Sequence, residues 1–311
     1  MAAPGDAVSA GRVPVATDPL VAPRRFPDLA APTAGAAFTH VDHAGLTIRL
    51  ESLAFRSWPA LRAQTLDGWV LRDSAGATRR GNSVWTCGDV TDVTTAIAEA
   101  ERFYGRAGLP PTFQLTPVSR PSELAAALDA AGYGDDDGPT DVCVADLADL
   151  AAGVADGADG ADGSADPTAV RTRRGDAPDE RWLDVGAAGG MTMFGRHRTA
   201  SVAILAQIAL PVAYVTATLD GTPVGVGRGV VDGEWLGIYS MATLPAARRR
   251  GAATAVLAAL TRWSSALGAH RAYLQVEERS AAARRIYATL GFRPVYRYTY
   301  RRRPIVPAGP A

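Results

Sequence analysis

The sequence predicts a layered α/β protein built as two similar halves, and three observations carry that prediction. Residues 239–300 read in order as strand, glycine-marked loop, helix, strand, helix, strand. Two Asp-Gly turns, Asp220-Gly221 and Asp232-Gly233, separate apolar runs just before that segment and mark an antiparallel meander. The order helix, Gly108, Phe113-Gln114-Leu115, helix, Gly132-Tyr133 then recurs as helix, Gly268, Leu274-Gln275-Val276, helix, Gly291-Phe292, which reads as an internal duplication.

Taken in order, residues 1–40 are rich in Ala, Pro, Gly and Asp without a helical or alternating period, and read as a disordered leader. The first globular unit, 41–150, shows helix patterns at 51–64, 91–107 and 122–131 and strand patterns at 67–73, 81–86 and 112–116. Residues 151–168 repeat Ala-Asp-Gly, an acidic and flexible composition that buries no core, and read as a linker. The second unit, 169–303, carries strands at 211–219, 223–231 and 235–243, and residues 304–311 form a tail.

Composition narrows the classes. A chain of 311 residues suits two domains at about 150 residues each, and 47% apolar content is ample for two cores. The 32 basic residues, all arginine, balance 32 acidic ones, which argues against a general nucleic-acid partner. No apolar stretch approaches a membrane span or a signal-peptide core, so the expectation is a cytoplasmic protein with no membrane partner. Cys87, Cys143 and four scattered histidines lack metal-ligand spacing, so no metal is expected and the thiols are read as reduced. Nothing in the sequence sets an oligomeric state.

Chemistry concentrates in the turn after residue 243. A helix opening near Gly251 leaves its first backbone N–H groups without intrahelical partners and places the positive end of its dipole there. Gly251 lets the backbone approach a ligand, Ala252 and Ala253 add no bulk, and Arg248, Arg249 and Arg250 bring charge to the rim. A pyrophosphate suits such a turn. The spacing Arg248-x-x-Gly251-x-Ala253, after Pro245, resembles the acetyl-CoA pyrophosphate loop of GNAT N-acetyltransferases, with Ala253 where relatives usually carry Gly. Residues 283–292 (ARRIYATLGF) are similar to the second signature of that family.

The resemblance implies a GNAT fold in both halves, with mixed, mostly antiparallel sheets, acetyl-CoA as cosubstrate and a primary amine as acceptor, attacked directly within a ternary complex. By the same resemblance, the main chain at Met241, Ala242 and Thr243 pairs with the pantetheine arm, and Arg249 through Thr254 supply N–H groups to the pyrophosphate. Tyr287 faces the cofactor sulfur as general acid, and Ser280 stands where many relatives place a cofactor-contacting Asn. Residues 178–209 supply two helices over the acceptor site, with His197 and Arg198 between them and His197 read as a solvated loop residue. Some relatives carry a basic Glu where Gln275 stands. Glu277, two residues on and on the same strand face, is the substitute; Glu234 is the second choice and a water chain the third.

The first half lacks the arginine loop, since GNSVWTCGDVTDVT precedes its helix at 91–107, so cofactor is expected only in the second half. Arg80, Asn82 and Gln114 are candidates for one wall of an acceptor cleft between the halves, Glu234 and Tyr239 are further substrate-binding candidates, and Trp58 and Trp69 read as packing. The acceptor is left open. Acidic substrates such as amino acids would use Arg80, Arg196 or Arg198; a peptide N-terminus, a side-chain amine or a polyamine would use Glu234 and Glu277. An acyl-CoA-binding sensor without turnover is the alternative function, motivated by Ser280, Gln275 and the degenerate first half.

Overall fold

The computed structural model describes residues 42–135, 138–155 and 170–304. The leader, most of the linker and the tail from residue 305 lie outside them. Helix α1 (His43–Ser57) begins where the Asp42 carboxylate accepts from the Ala44 N–H, and ends at Trp58 because Pro59 disfavours helical backbone at the residue before it. The helix expected at 51–64 is thereby displaced toward the N-terminus, and β1 (Arg62–Leu66) pairs antiparallel with β2 (Trp69–Asp73). The strand expected at 81–86 is mostly a 3-10 turn (Arg80–Asn82) followed by a short β3 (Val84–Trp85). Next come α2 (Val93–Arg106), β4 (Thr112–Leu115), α3 (Leu124–Ala130), β5 (Gly134–Asp135), β6 (Thr140–Asp146) and α4 (Leu147–Ala155).

Helix α4 occupies the start of the expected linker. Leu147, Leu150 and Val154 recur at helical spacing and are buried in the same core as Val256 and Leu260 of a later helix, so the flexible composition begins only after residue 155. The second half runs through β7 (Arg171–Gly175), α5 (Glu180–Ala188), α6 (Thr192–Arg196), α7 (Arg198–Ala206), β8 (Val212–Leu219), β9 (Thr222–Asp232), β10 (Trp235–Thr243), α8 (Ala252–Ser265), β11 (Arg271–Glu277), α9 (Ala281–Thr289) and β12 (Arg293–Arg302). Three helices rather than two fill 178–209, with His197 at the break between α6 and α7.

The strands follow one another in the order β1-β2-β3-β4-β12-β6-β11-β10-β9-β8-β7. The centre of that order is an exchange. By chain order β6 closes the first half, yet it pairs antiparallel along β11, from Arg271↔Asp146 to Glu277↔Thr140. Reciprocally β12, the last strand of the second half, pairs antiparallel with β4, from Thr299↔Leu115 to Arg302↔Thr112, and also with β6. The parallel pairs β3·β4 and β10·β11 occupy equivalent places on either side. Val142 and Val144 of β6 are fully buried; at about 1.5–3 kcal/mol per buried valine, the strand is a central support of the neighbouring sheet.

A buried polar network ties the exchange to α1. Glu51 accepts from the Tyr296 hydroxyl on β12 (2.6 Å) and from Gln114 Nε2 on β4 (3.0 Å), while Arg72 Nη2 donates to Gln114 Oε1 (2.9 Å). Burial pushes the Glu51 carboxyl above its ordinary range. Gln114, expected in an acceptor wall, is instead consumed by this network.

Because each half completes its sheet with the other's strand, cutting the chain between 156 and 169 should not release two domains. With a protease site inserted there, the cleaved pieces are expected to co-elute as one particle in size exclusion, and to aggregate when separated in denaturant and refolded alone. Two independently soluble, separable fragments would contradict the exchange.

Candidate active site

Strands β10 and β11 pair in parallel only from Trp235↔Arg271 to Ile238↔Leu274, although β10 runs on to Thr243 and β11 to Glu277. They splay because β10 carries a bulge between Tyr239 and Ala242 against β9, with Ser240 at φ +52°. Past Ile238 the β11 side of β10 therefore has no strand partner, an edge to which an extended, amide-bearing arm can add. Beyond it, Arg249 (φ +61°) and Gly251 (φ +80°) take left-handed backbone and lead into α8, whose N-terminus carries no side-chain cap. Arg248 and Arg249 are exposed there, and Arg250 is only loosely held by Asp220 at 3.4 Å. Such an open helix start has the geometry to hold an anion.

The equivalent place in the first half is closed. Asp92 caps α2, its carboxylate accepting from the Thr95 N–H at 2.6 Å. The preceding loop is clamped onto Gly68: Gly68 donates its N–H to the Asp89 carbonyl, and a Cβ on Gly88 would lie 2.4 Å from the Gly68 oxygen. The gap after β3 and β4 is filled too, since Thr86 bonds the Gln114 carbonyl (2.8 Å) and Ser119 Oγ (2.7 Å), and its own carbonyl accepts from the Arg120 N–H. Two homologous positions thus differ in one respect: the first satisfies itself and the second does not.

At the splay lies a cavity of about 410 Å³, walled by β10 and β11, by Met191 and Met193, by Ser280 before α9 and Tyr287 in it, by Arg80 from the first half and by Tyr298 of β12. Tyr287 is half-buried against Phe292 (5.8 Å between rings), and burial pushes its phenol up to about 12. Tyr239 shares a 2.5 Å hydroxyl contact with Tyr273, which in turn meets Ser57.

With this geometry in view, residues 47–301 match the family described as "Probable histone acetyltransferase Rv0428c C-terminal". The chain belongs to this acetyltransferase family. It is 28% identical over 256 residues to an "Uncharacterized N-acetyltransferase YobR" of Bacillus subtilis (strain 168), across 81% of this chain and 97% of that one. Among solved structures, a GCN5-related N-acetyltransferase from Kribbella flavida superposes with a TM-score of 0.59 at 17% identity, covering 83% of this chain and 95% of that one. A tandem GNAT protein from the clavulanic acid biosynthesis pathway does so with a TM-score of 0.51 at 15% identity, over 66% and 67% of the two chains. The fold is that of the GNAT acetyltransferases.

Within the GNAT frame, Tyr239, Met241, Ser280, Glu277, Tyr287 and Arg80 are brought to one cavity. Ala242 and Thr243 continue β10 beyond its wall, and the residues from Arg248 to Thr254 follow at the α8 start. Three expectations need correction. Asn82 does not face the cavity; its Oδ1 accepts from the N–H groups of Ser74 (2.8 Å) and Gly76 (2.9 Å) and so shapes the turn that presents Arg80. Glu234 lies at the opposite end of β10, paired with His270 (2.8 Å) and Arg271. Glu277 lines the cavity, but Arg79 holds one of its oxygens (2.8 Å) and Arg279 the other (2.6 Å), leaving it poorly placed to take a proton. The sequence reading missed Arg79, Tyr298 and Tyr300 as wall residues. The alternation Tyr296-x-Tyr298-x-Tyr300 was the available signal, but only the exchange of β12 makes it face this site.

Replacing Gly251 with valine forces a β-branched residue into left-handed backbone at the helix start. Calorimetry should show Kd for CoA rising about tenfold or more, whereas Asp92→Ala in the first half should leave it unchanged. Equal effects of the two variants would contradict the asymmetry.

Proposed function

We propose that this chain transfers acetyl from acetyl-CoA to a primary amine by direct attack in a ternary complex. The observation that carries the reading is the open β10 edge running from the cavity to an uncapped helix N-terminus, a groove with amide partners at one end and phosphate-binding N–H groups at the other. No ligand is needed to see that the residues fit the cofactor: Met241, Ala242 and Thr243 would flank the arm, Arg248 to Thr254 the pyrophosphate. Acetyl-CoA supplies an acyl group activated as a thioester.

The protein's contribution begins with the acceptor. The ammonium loses a proton to water in the cavity. The free amine attacks the thioester carbonyl, whose oxygen is polarised by main-chain N–H at the β10 bulge. Collapse of the tetrahedral adduct breaks the C–S bond, and the departing thiolate takes the Tyr287 proton. A phenol held at about 12 stays protonated until the thiolate forms, and the proton released from nitrogen returns it through solvent. The same reading places the reaction in the cytoplasm, where the expected reduced thiols would persist. A sensor that binds acyl-CoA without turnover is the competing reading, favoured by the arginine-locked Glu277.

Thiol release from acetyl-CoA across an amine panel separates the two. Turnover with at least one amine is expected, and Tyr287→Phe should lower kcat by about 10² while CoA affinity stays within a few-fold. The wild-type kcat should show no alkaline fall before about pH 10. Binding of CoA with no release for any amine would favour the sensor; unchanged kcat in the variant would reduce Tyr287 to packing.

A further inference from the structure

Resting on the acetyltransferase reading above, we propose that the acceptor carries a carboxylate beside its amine, and that Arg80 receives that carboxylate. Arg80 lines the cavity, yet among the described residues it makes no ion pair: Nη2 donates only to the neutral Tyr298 hydroxyl (3.3 Å), and Nε has no partner. The neighbouring charges are already spent. Arg79 and Arg279 share Glu277, and Glu51 lies behind the wall, bonded to Tyr296 and Gln114 and held toward its neutral form by burial.

A second guanidinium points the same way. Arg228 is completely buried; Nη1 donates to the Ser57 carbonyl (3.0 Å), while Nε and Nη2 have no partner. It lies between the rings of Trp58 (4.9 Å) and Tyr239 (4.6 Å), both of which form the cavity wall. An unpaired buried cation is costly, and the aromatic faces compensate only part of that cost. Arg80 on the cavity wall and Arg228 behind Trp58 and Tyr239 are thus two guanidinium groups with no carboxylate partner among the described residues, and an anionic guest would complete Arg80.

The duplication shows what such a position takes. Gln114 and Gln275 occupy equivalent places in Phe113-Gln114-Leu115 and Leu274-Gln275-Val276. In the first half Gln114 Nε2 donates to the carboxylate of Glu51. In the second, Gln275 Oε1 accepts from Tyr298 (3.1 Å) and Nε2 has no partner. Where one half supplies its own carboxylate, the other leaves the place open. The other arginines considered for this role are excluded: Arg198 is held by Glu180 and Asp184, and Arg196 is outside the wall. With Arg80 receiving the carboxylate while the amine faces the thioester, the guest is of the amino-acid type.

The test compares amino acids with their own amides, their decarboxylated amines, and a lysine-bearing basic peptide, using the full chain and acetyl-CoA. Each amino acid should exceed its amide and amine in kcat/KM by about tenfold or more, as for loss of a charge-assisted hydrogen bond. Arg80→Gln should bring that ratio close to one through KM, and Arg80→Lys should restore part of it. In parallel, with CoA bound, the preferred amino acids should raise the melting temperature of the wild type more than their amides do. Amides, amines or the basic peptide performing as well as the amino acids would overturn the proposal, and so would the absence of any carboxylate-dependent thermal shift. A carboxylate-dependent shift without thiol release would support the Arg80 site while overturning turnover, so the two failures are distinguishable.

Discussion

Everything in this molecule depends on the pairing of β6 with β11 and of β12 with β4. Antiparallel ladders satisfy backbone groups that would otherwise be orphaned in the interior, and here each ladder is supplied by the opposite half. That exchange brings the tyrosines of β12 and the Arg79–Arg80 turn of the first half to the mouth opened by β10 and β11. An ordinary tandem of two closed sheets would leave the whole cavity wall to the second half alone.

The two halves differ in that the first closes the place that the second leaves open. Asp92 supplies the negative charge that a ligand would bring to α2, Thr86 and Ser119 fill the splay, and Glu51 provides a carboxylate for Gln114. Each of these groups satisfies internally what the second half leaves unsatisfied. The first half contributes Arg79 and Arg80 to the cavity wall; the second keeps the uncapped α8 start, the half-buried phenol of Tyr287 and Arg228 without an ion pair among the described residues. Residual unsatisfied polar groups are uncommon in native interiors, so Arg80 Nε and Gln275 Nε2, both on residues of the cavity wall, mark where a ligand belongs.

What was legible in the sequence was local. Asp220-Gly221 and Asp232-Gly233 fixed the meander, and Gly251 after three arginines marked the helix start, since turn chemistry and left-handed backbone are properties of a few adjacent residues. The helix expected at 51–64 stops at Ser57 because Pro59 disfavours helical backbone at the residue before it. Asn82 and Gln114 lie beneath the cavity rather than in its wall, and in sequence a polar side chain at a cleft and one buried beneath it look alike. The exchange of β6 and β12 had no local signal at all: the apolar run of β6 declares burial on both faces but not which strands flank it. Tyr298 and Tyr300 went unassigned for the same reason.

The central claim is that only one of two homologous clefts is open. Calorimetric titration of the full chain with CoA measures this directly through stoichiometry. The account predicts one site per chain; two equivalent sites would show that the Asp92-capped cleft opens to cofactor, and would contradict it.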